Sequence, residues 1–174
     1  MTNPNVTPDN TSLPPTHPLA RLWSRPKVKY LIGVQGVGGT QQVISASPSY
    51  AGVDGLCDCV RSKVLQLMKN CLAQGIELKL IETLRAWDRQ EVLWRLRATK
   101  TLDSQHEAHP PKSLGLAADL CPVEYLVMKG WNGSGVHWKV MGEEAVGLGL
   151  GWGGSWSSFT DKPHVELKAC ECAQ

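Results

Sequence analysis

The sequence has little charge imbalance and no long apolar run, and these two absences exclude several functions. Its 18 basic and 16 acidic side chains give a formal charge of +2, too small for a dedicated nucleic-acid surface. No stretch approaches the roughly 20 apolar residues of a membrane-spanning helix. The N-terminal residues also lack the basic start and apolar core of a secretion signal. We therefore expect a protein that binds no nucleic acid, inserts into no membrane and is made in the cytoplasm.

The chain has very little phenylalanine and an unusually large number of tryptophans. The chain has 1 Phe and 7 Trp, and four of the tryptophans fall within residues 131–156. Tryptophan brings a large apolar area and one hydrogen-bond donor to a site. The C-terminal third should therefore contain an aromatic core or a groove.

The sequence contains no C-x-x-C motif of the kind found in zinc ribbons and redox proteins. Its six cysteines are two C-x-C pairs, at 57/59 and 170/172, together with Cys71 and Cys121. Reduced, buried thiols are the favoured interpretation for a protein made in the cytoplasm. Disulfides remain open if the protein works outside the cell, and a cysteine zinc site is the least favoured of the three.

A chain of 174 residues is long enough for one domain with its own core. Residues 1–25 are rich in Pro, Thr and Asn and are predicted to be a flexible tail. Residues 26–50 form an N-terminal extension in which two apolar runs flank glycines, as in a β-hairpin. Residues 51–174 form the main domain.

Helical and strand patterns alternate along the main domain. Residues 54–73 have apolar side chains at helical spacing, residues 76–84 alternate as a half-buried strand does, and residues 86–99 return to helical spacing. An inner strand follows at residues 114–123, a helix at 137–148 and a last strand at 164–167. This order predicts an α+β domain with a small antiparallel sheet and flanking helices.

One acidic side chain interrupts the most apolar of these strands. Asp119 lies in LGLAADLCPV, and burying an unpaired carboxylate is costly, because even an unpartnered polar group costs about 2–7 kcal/mol. Metal binding, an arginine partner or a helix cap would each offset that cost. His106 and His109 precede this strand, and Asp161 and His164 flank a proline in FTDKPHVEL. A lone strand histidine is usually structural, but the joint presence of these groups favours a site.

In four places the sequence resembles the zinc peptidoglycan peptidases, the family of D-alanyl-D-alanine carboxypeptidases and L-alanyl-D-glutamate endopeptidases. Residues 82–94, ETLRAWDRQEVLW, resemble its T-x-R-x-x-x-x-Q-x-x-L-Y segment. TLDSQH and GLAADL resemble the segments that present its first histidine and its aspartate. GLGLGWGGSWSSFTDKPHVEL is close to the ending of its endopeptidase branch. The resemblance covers residues 52–168 and implies the hedgehog/DD-peptidase fold, with residues 51–174 as the catalytic domain.

The resemblance also implies roles for particular residues. One zinc ion would be held by His106, Asp119 and His164, with water in the fourth position of an open site. Manganese or cobalt could occupy the same ligands. Asp161 would be the general base. The substrate-binding residues would be Arg85, Gln90 and His109. Arg85 would clamp a carboxylate of the substrate, Gln90 would support the site, and His109 would line the groove.

One spacing departs from the family pattern. In the compact motif the histidine lies seven residues before the aspartate, where this chain has Lys112, and an ammonium cannot bind zinc. His106 lies thirteen residues before Asp119 and His109 lies ten before it. We expect a lengthened loop anchored at His106, since insertions in loops cost little, with His109 as the alternative ligand.

The function implied by the resemblance is hydrolysis of an amide bond in the peptidoglycan stem peptide, most directly the L-alanyl-D-glutamate bond. The absence of a secretion signal suits a monomeric phage or prophage endolysin that stays in the host cytoplasm until released to the cell wall. A D-alanyl-D-alanine carboxypeptidase is the alternative with the same chemistry. A non-catalytic wall-binding relative and a virion-associated protein are the alternatives of another class.

Overall fold

The computed structural model describes residues 13–33, 41–108, 114–127 and 135–169. Its helices and strands are, in order, α1 (Pro18–Trp23), β1 (Val28–Gly33), β2 (Gln41–Ala46), α2 (Asp58–Ala73), β3 (Leu78–Glu82), α3 (Trp87–Arg95), β4 (Ala117–Pro122), α4 (Val136–Gly147), β5 (Gly151–Trp152) and β6 (His164–Glu166). The predicted α+β class is confirmed. Within the described ranges, no helix combines the length and apolar character needed to cross a bilayer.

The main sheet has the strand order β3-β4-β6-β5, and every neighbouring pair is antiparallel. The inner strand β4 is the one that the sequence predicted from its apolar density. Side chains on a strand alternate between the two faces of the sheet. Leu120 and Val165 therefore point to one face, where they are fully buried, and Asp119 and His164 point to the other. The sheet thus separates the core from the site.

Helices α2 and α4 cover the core face of the sheet. The buried side chains of α2 recur at helical spacing, as predicted, and they pack in one cluster with Trp138, Met141 and Ala145 of α4. Helix α2 begins at Asp58, four residues later than predicted, because residues 53–55 form a separate 3₁₀ turn. The turn after α2 contains Gly75 at φ +80°, a conformation that favours glycine.

The first fifty residues pack against the main domain where the structure describes them. Strands β1 and β2 pair antiparallel, as predicted for residues 26–50, while the connecting residues 34–40 lie outside the description. The expectation of a flexible tail over residues 1–25 is wrong for its second half. Helix α1 buries Leu19 and Leu22 against Leu84 and its neighbours, because these two leucines give an otherwise polar segment enough apolar surface to pack.

The cysteines follow the favoured interpretation only in part. Cys71 and Cys121 are buried free thiols in the core cluster, and burial raises the pKa of both; that of Cys71 rises to about 11. Cys59 is disulfide-bonded, so the expectation of reduced thiols is wrong for this residue. Disulfides persist in oxidising surroundings, which is the alternative that the sequence left open. Cys170 and Cys172 lie outside the described residues.

Candidate metal centre and active-site cleft

Strand pairing places three ionisable side chains in one row across the sheet. Asp119 on β4 has His164 on β6 as its direct cross-strand partner, and Glu82 on β3 as its partner on the other side. Direct partners in an antiparallel sheet share a face, with Cβ atoms about 4.5–5.5 Å apart. The register alone therefore brings these groups into contact range.

His106 reaches the row from the loop between α3 and β4. The loop is held by backbone hydrogen bonds, in which Arg85 N donates to His106 O at 2.8 Å and Leu116 N to Gln105 O at 2.7 Å. Gly115 lies beside it, where an added Cβ would come within 2.3 Å of Thr83 O. These backbone contacts hold the loop in place around His106, the residue at which the lengthened loop was expected to be anchored.

The nitrogen and oxygen atoms of His106, Asp119 and His164 converge on one point. His106 Nε2 is 3.1 Å from Asp119 Oδ1 and 3.2 Å from His164 Nδ1, and His164 Nδ1 is 3.2 Å from the same oxygen. Both imidazoles are nearly inaccessible to solvent, at 1% and 7% exposure. These three residues could hold a metal ion. The structure thus brings together the three ligands that the resemblance implied.

Glu166 fixes the orientation of His164. The ring nitrogen that faces away from the convergence point, Nε2, lies 3.1 Å from Glu166 Oε2. When the imidazole is neutral, donation from Nε2 to this carboxylate leaves the lone pair on Nδ1, which faces Asp119 and His106. Partners of this kind set the tautomer of a metal-binding histidine.

The carboxylate and the imidazoles of the site shift one another's pKa values. Burial alone would raise the pKa of Asp119, but His106 and His164 reverse that effect and hold the pKa of Asp119 well below its usual range. For His164, burial lowers the pKa, and the stronger combined effect of Asp119 and Glu166 raises it to about 9. Asp119 is therefore an anion paired with histidines, which offsets the cost of placing a carboxylate in this strand.

Arg85 is bound on several sides within the protein. Its Nε and Nη2 donate to Glu82 Oε2 at 3.0 and 2.5 Å, and its Nη1 donates to Gln90 Oε1 at 2.7 Å. Its Nη2 also lies 3.6 Å from Asp119 Oδ2. Three of the five guanidinium N–H groups are therefore already used. Gln90 is fully buried and also donates to Thr101 O, so it holds Arg85 and the loop together.

Asp161 lies at the edge of the site on the segment between β5 and β6. Its backbone N–H donates to Gly153 O at 2.9 Å, and its own carbonyl accepts from His164 N at 3.2 Å. An added Cβ on Gly153 would lie 2.5 Å from Asp161 O, so glycine is required for this close approach. Burial, followed by the charge of Asp119, raises the pKa of Asp161. A carboxylate with a raised pKa is a stronger proton acceptor.

These groups line one cleft of about 680 Å³. Trp156 and Phe159 form part of its wall, and Trp156 packs on His164 with ring centroids 5.1 Å apart. Lys100 Nζ lies over the Phe159 ring, 5.5 Å from its centre. Of the tryptophans in the C-terminal third, where a groove was expected, Trp156 lines the cleft. His109, the alternative ligand, lies outside the described residues, as does Lys112.

Two residues of the site were not predicted from sequence. Glu82 is only 3% exposed, and Glu166 holds His164 in place. In the sequence, however, both glutamates occupy polar positions of alternating strands, where a side chain is expected to face solvent. The only sequence signal for Glu166 is its position two residues after His164, on the same face of the strand. For Glu82 the sequence offered only the nearby Arg85, since its other partners, Arg89 and Asp119, lie on α3 and β4.

The part of the chain that contains the site is similar to known proteins. Residues 97–167 match the family model described as D-alanyl-D-alanine carboxypeptidase. An L-alanyl-D-glutamate peptidase of Listeria phage A118 is 30% identical over 129 residues, which are 70% of this chain and 41% of the relative. This chain therefore spans less than half the length of that relative. The solved structure of the Serratia marcescens L-Ala D-Glu endopeptidase ChiX has 20% identity and a TM-score of 0.48, over 70% of this chain and 90% of its own.

Proposed function

We infer that this chain belongs to the family of D-alanyl-D-alanine carboxypeptidases and related peptidoglycan peptidases, and that it hydrolyses an amide bond in the peptidoglycan stem peptide. The observation that carries this proposal is the convergence of His106, Asp119 and His164 beside Asp161 in one cleft. A structural metal site is closed by four protein ligands, whereas a hydrolytic site has three and leaves one position open. The three candidate ligands among the residues that the structure describes fit the hydrolytic kind.

We propose zinc as the metal of this site. Tetrahedral ligands at about 2.0–2.1 Å from zinc lie roughly 3.3 Å from one another. The three donor atoms are 3.1 to 3.2 Å apart, which fits that arrangement. Two imidazoles and one carboxylate also suit zinc, although manganese or cobalt accept similar donors. His106 is the proposed ligand from the loop.

Each protein group has a proposed role in the reaction. Bound zinc would supply a Lewis acid that polarises the scissile carbonyl and makes water more acidic. Asp161 takes the proton from the attacking water and passes it to the leaving amine. Arg85 orients Asp119 through Nη2, and the second N–H of Nη1, which Gln90 leaves unused, could donate to a substrate carbonyl or carboxylate.

The bond that we propose is the one between L-alanine and D-glutamate. It is the bond named for the phage relative, which is 30% identical over most of this chain. Cleavage of a terminal D-alanine is the second candidate, because the matching family model is described by that activity. We also propose that the protein acts as a monomeric endolysin, held in the cytoplasm of the host until it is released to the wall.

Digestion of purified sacculi separates these candidates. New amino termini on D-glutamate, identified by mass spectrometry of the soluble products, would support the endopeptidase. Released D-alanine without those termini would support the carboxypeptidase instead. Asp161→Asn provides the matched control, since it retains all three metal ligands. Absence of both products from the wild-type, zinc-loaded protein would refute the proposed function.

A further inference from the structure

The hairpin of β1 and β2 lies outside the segment that matches the peptidase family, which begins at residue 97. It is nevertheless packed against α3, where Ala46 and Val92 are almost completely buried and Tyr30 and Ile44 pack beside them. Two polar contacts join the strand β1 region to adjacent residues of α3. Lys27 Nζ lies 2.7 Å from Asp88 Oδ2, and the Tyr30 hydroxyl accepts a hydrogen bond from Arg89.

Only the second of these contacts continues toward the metal centre. Arg89 Nε donates to Glu82 Oε1 at 2.7 Å, while the other oxygen of Glu82 accepts from Arg85. Arg85 Nη2 in turn lies 3.6 Å from Asp119 Oδ2. A continuous series of polar contacts therefore runs from the hairpin to a metal ligand, through Tyr30, Arg89, Glu82, Arg85 and Asp119.

The two oxygens of Asp119 face different partners along this series. Oδ1 faces the histidines, and Oδ2 faces Arg85. Glu82 holds one guanidinium on each of its own oxygens and is only 3% exposed. A buried carboxylate between two arginines is oriented by both of them, because each hydrogen bond fixes one lone-pair direction. Movement of Arg89 would therefore change how Glu82 holds Arg85.

We propose that the hairpin is a functional part of the active site, in which Tyr30 and Arg89 are positioning residues that hold Asp119 in the rotamer that binds metal. The loss of a group bonded directly to a metal ligand costs about 10- to 100-fold in metal affinity. Tyr30 acts through three intervening side chains, so its hydroxyl should contribute less, about three- to tenfold. The kinetic part of the inference rests on the proposed peptidase function, and the metal-binding part does not.

The test compares two single-residue variants of the full chain. Tyr30→Phe removes the contact to Arg89. Lys27→Met removes the neighbouring contacts to Asp88 and Ser47, which do not lead to the site. Zinc affinity is measured by competition with a chromogenic chelator, without substrate, and thermal unfolding is followed for both. We expect about three- to tenfold weaker zinc binding in Tyr30→Phe only, although both variants lower the melting temperature slightly.

Wild-type zinc affinity in Tyr30→Phe would overturn the inference. Equal weakening in Lys27→Met would also overturn it, since that result would mean that any loosening of the hairpin disturbs the site. With peptidoglycan as substrate, Tyr30→Phe should lower kcat and leave KM unchanged. If sacculi remain uncut by the wild type while zinc binding shows the predicted difference, the proposed function fails and the positioning role stands.

Discussion

At the scale of single residues, the most informative contact is that between Glu166 and His164. Glu166 accepts from the His164 nitrogen that faces away from the convergence point, at 3.1 Å, and so selects the tautomer that can bind metal. The side chain of Glu166 is only 18% exposed, so few water molecules could replace it. The metal affinity of the site therefore depends on a residue that does not itself bind the metal.

Replacement of Glu166 by alanine should weaken zinc binding by about 10- to 100-fold, because His164 would lose the partner that fixes its tautomer. Competition with a chromogenic chelator measures the change. Glu166→Gln keeps an oxygen that can accept from Nε2 and should retain most of the affinity. Equal losses in the two variants would show that charge, rather than the hydrogen-bond acceptor, is what His164 requires.

Asp161 should be needed for turnover but not for metal binding. Its backbone is held by Gly153 O, so Asp161→Asn changes the proton acceptor without moving the segment. Loss of a general base typically lowers kcat by about 10²- to 10⁴-fold. Sacculus digestion measures the activity and zinc content measures the site. Full lysis by a zinc-loaded Asp161→Asn protein would assign the base to another residue.

The residue types of the site could be predicted from the sequence better than their contacts. Asp119 was conspicuous because a carboxylate in an apolar strand needs a partner, and the local sequence is enough to show such a carboxylate. Arg85 was expected to clamp substrate, whereas three of its N–H groups bind Glu82 and Gln90. These contacts depend on how β3 and α3 meet in space, and no local pattern in the sequence reports that.

At the scale of elements, the connection between the hairpin and α3 depends on Asp88. Its Oδ2 accepts from Lys27 Nζ at 2.7 Å and from Ser47 N at 3.0 Å. Partial burial works to raise the pKa of Asp88, but the hydrogen bonds from Lys27 and Ser47 outweigh it and lower that pKa below its ordinary value of 3.8. The two strand patterns predicted the hairpin, but not this anchor, since Asp88 lies more than forty residues away along the chain.

A lowered pKa makes the contribution of Asp88 to stability depend on pH in one direction. The stabilisation is present above the ordinary pKa of 3.8 and is lost as the pH falls through the lower pKa of the folded state. Asp88→Asn should therefore be less stable than wild type at neutral pH, with the difference shrinking below about pH 4. Thermal unfolding across this range measures it. A difference that does not change with pH would refute the ion-pair explanation.

At the scale of the whole molecule, the three proposed ligands connect distant parts of the chain. His106 and His164 are 58 positions apart, and Asp119 lies on the strand between them. A ligand that binds only the folded state stabilises it by about 2.7 kcal/mol when present at 100 times its Kd. Metal binding should therefore stabilise the entire domain rather than one loop.

Removal of metal with a chelator should lower the melting temperature of the zinc-loaded wild type, and calorimetry measures the shift. The His106→Ala variant should melt at the lower temperature even before the chelator is added, because its site lacks one proposed ligand. The chelator should then cause no further shift. His109→Ala should behave like the wild type. The reverse pattern would transfer the ligand role from His106 to His109.

The row formed by Glu82, Asp119 and His164 also determines when the site can arise during folding. Side chains alternate along a strand, so a slip of one residue between β4 and β6 would turn one partner into the core. The row requires three correctly paired strands, and pairings between distant segments form late because their loops must close first. An incompletely folded chain therefore contains no assembled centre, and hydrolytic competence arises only once the sheet has reached its final register.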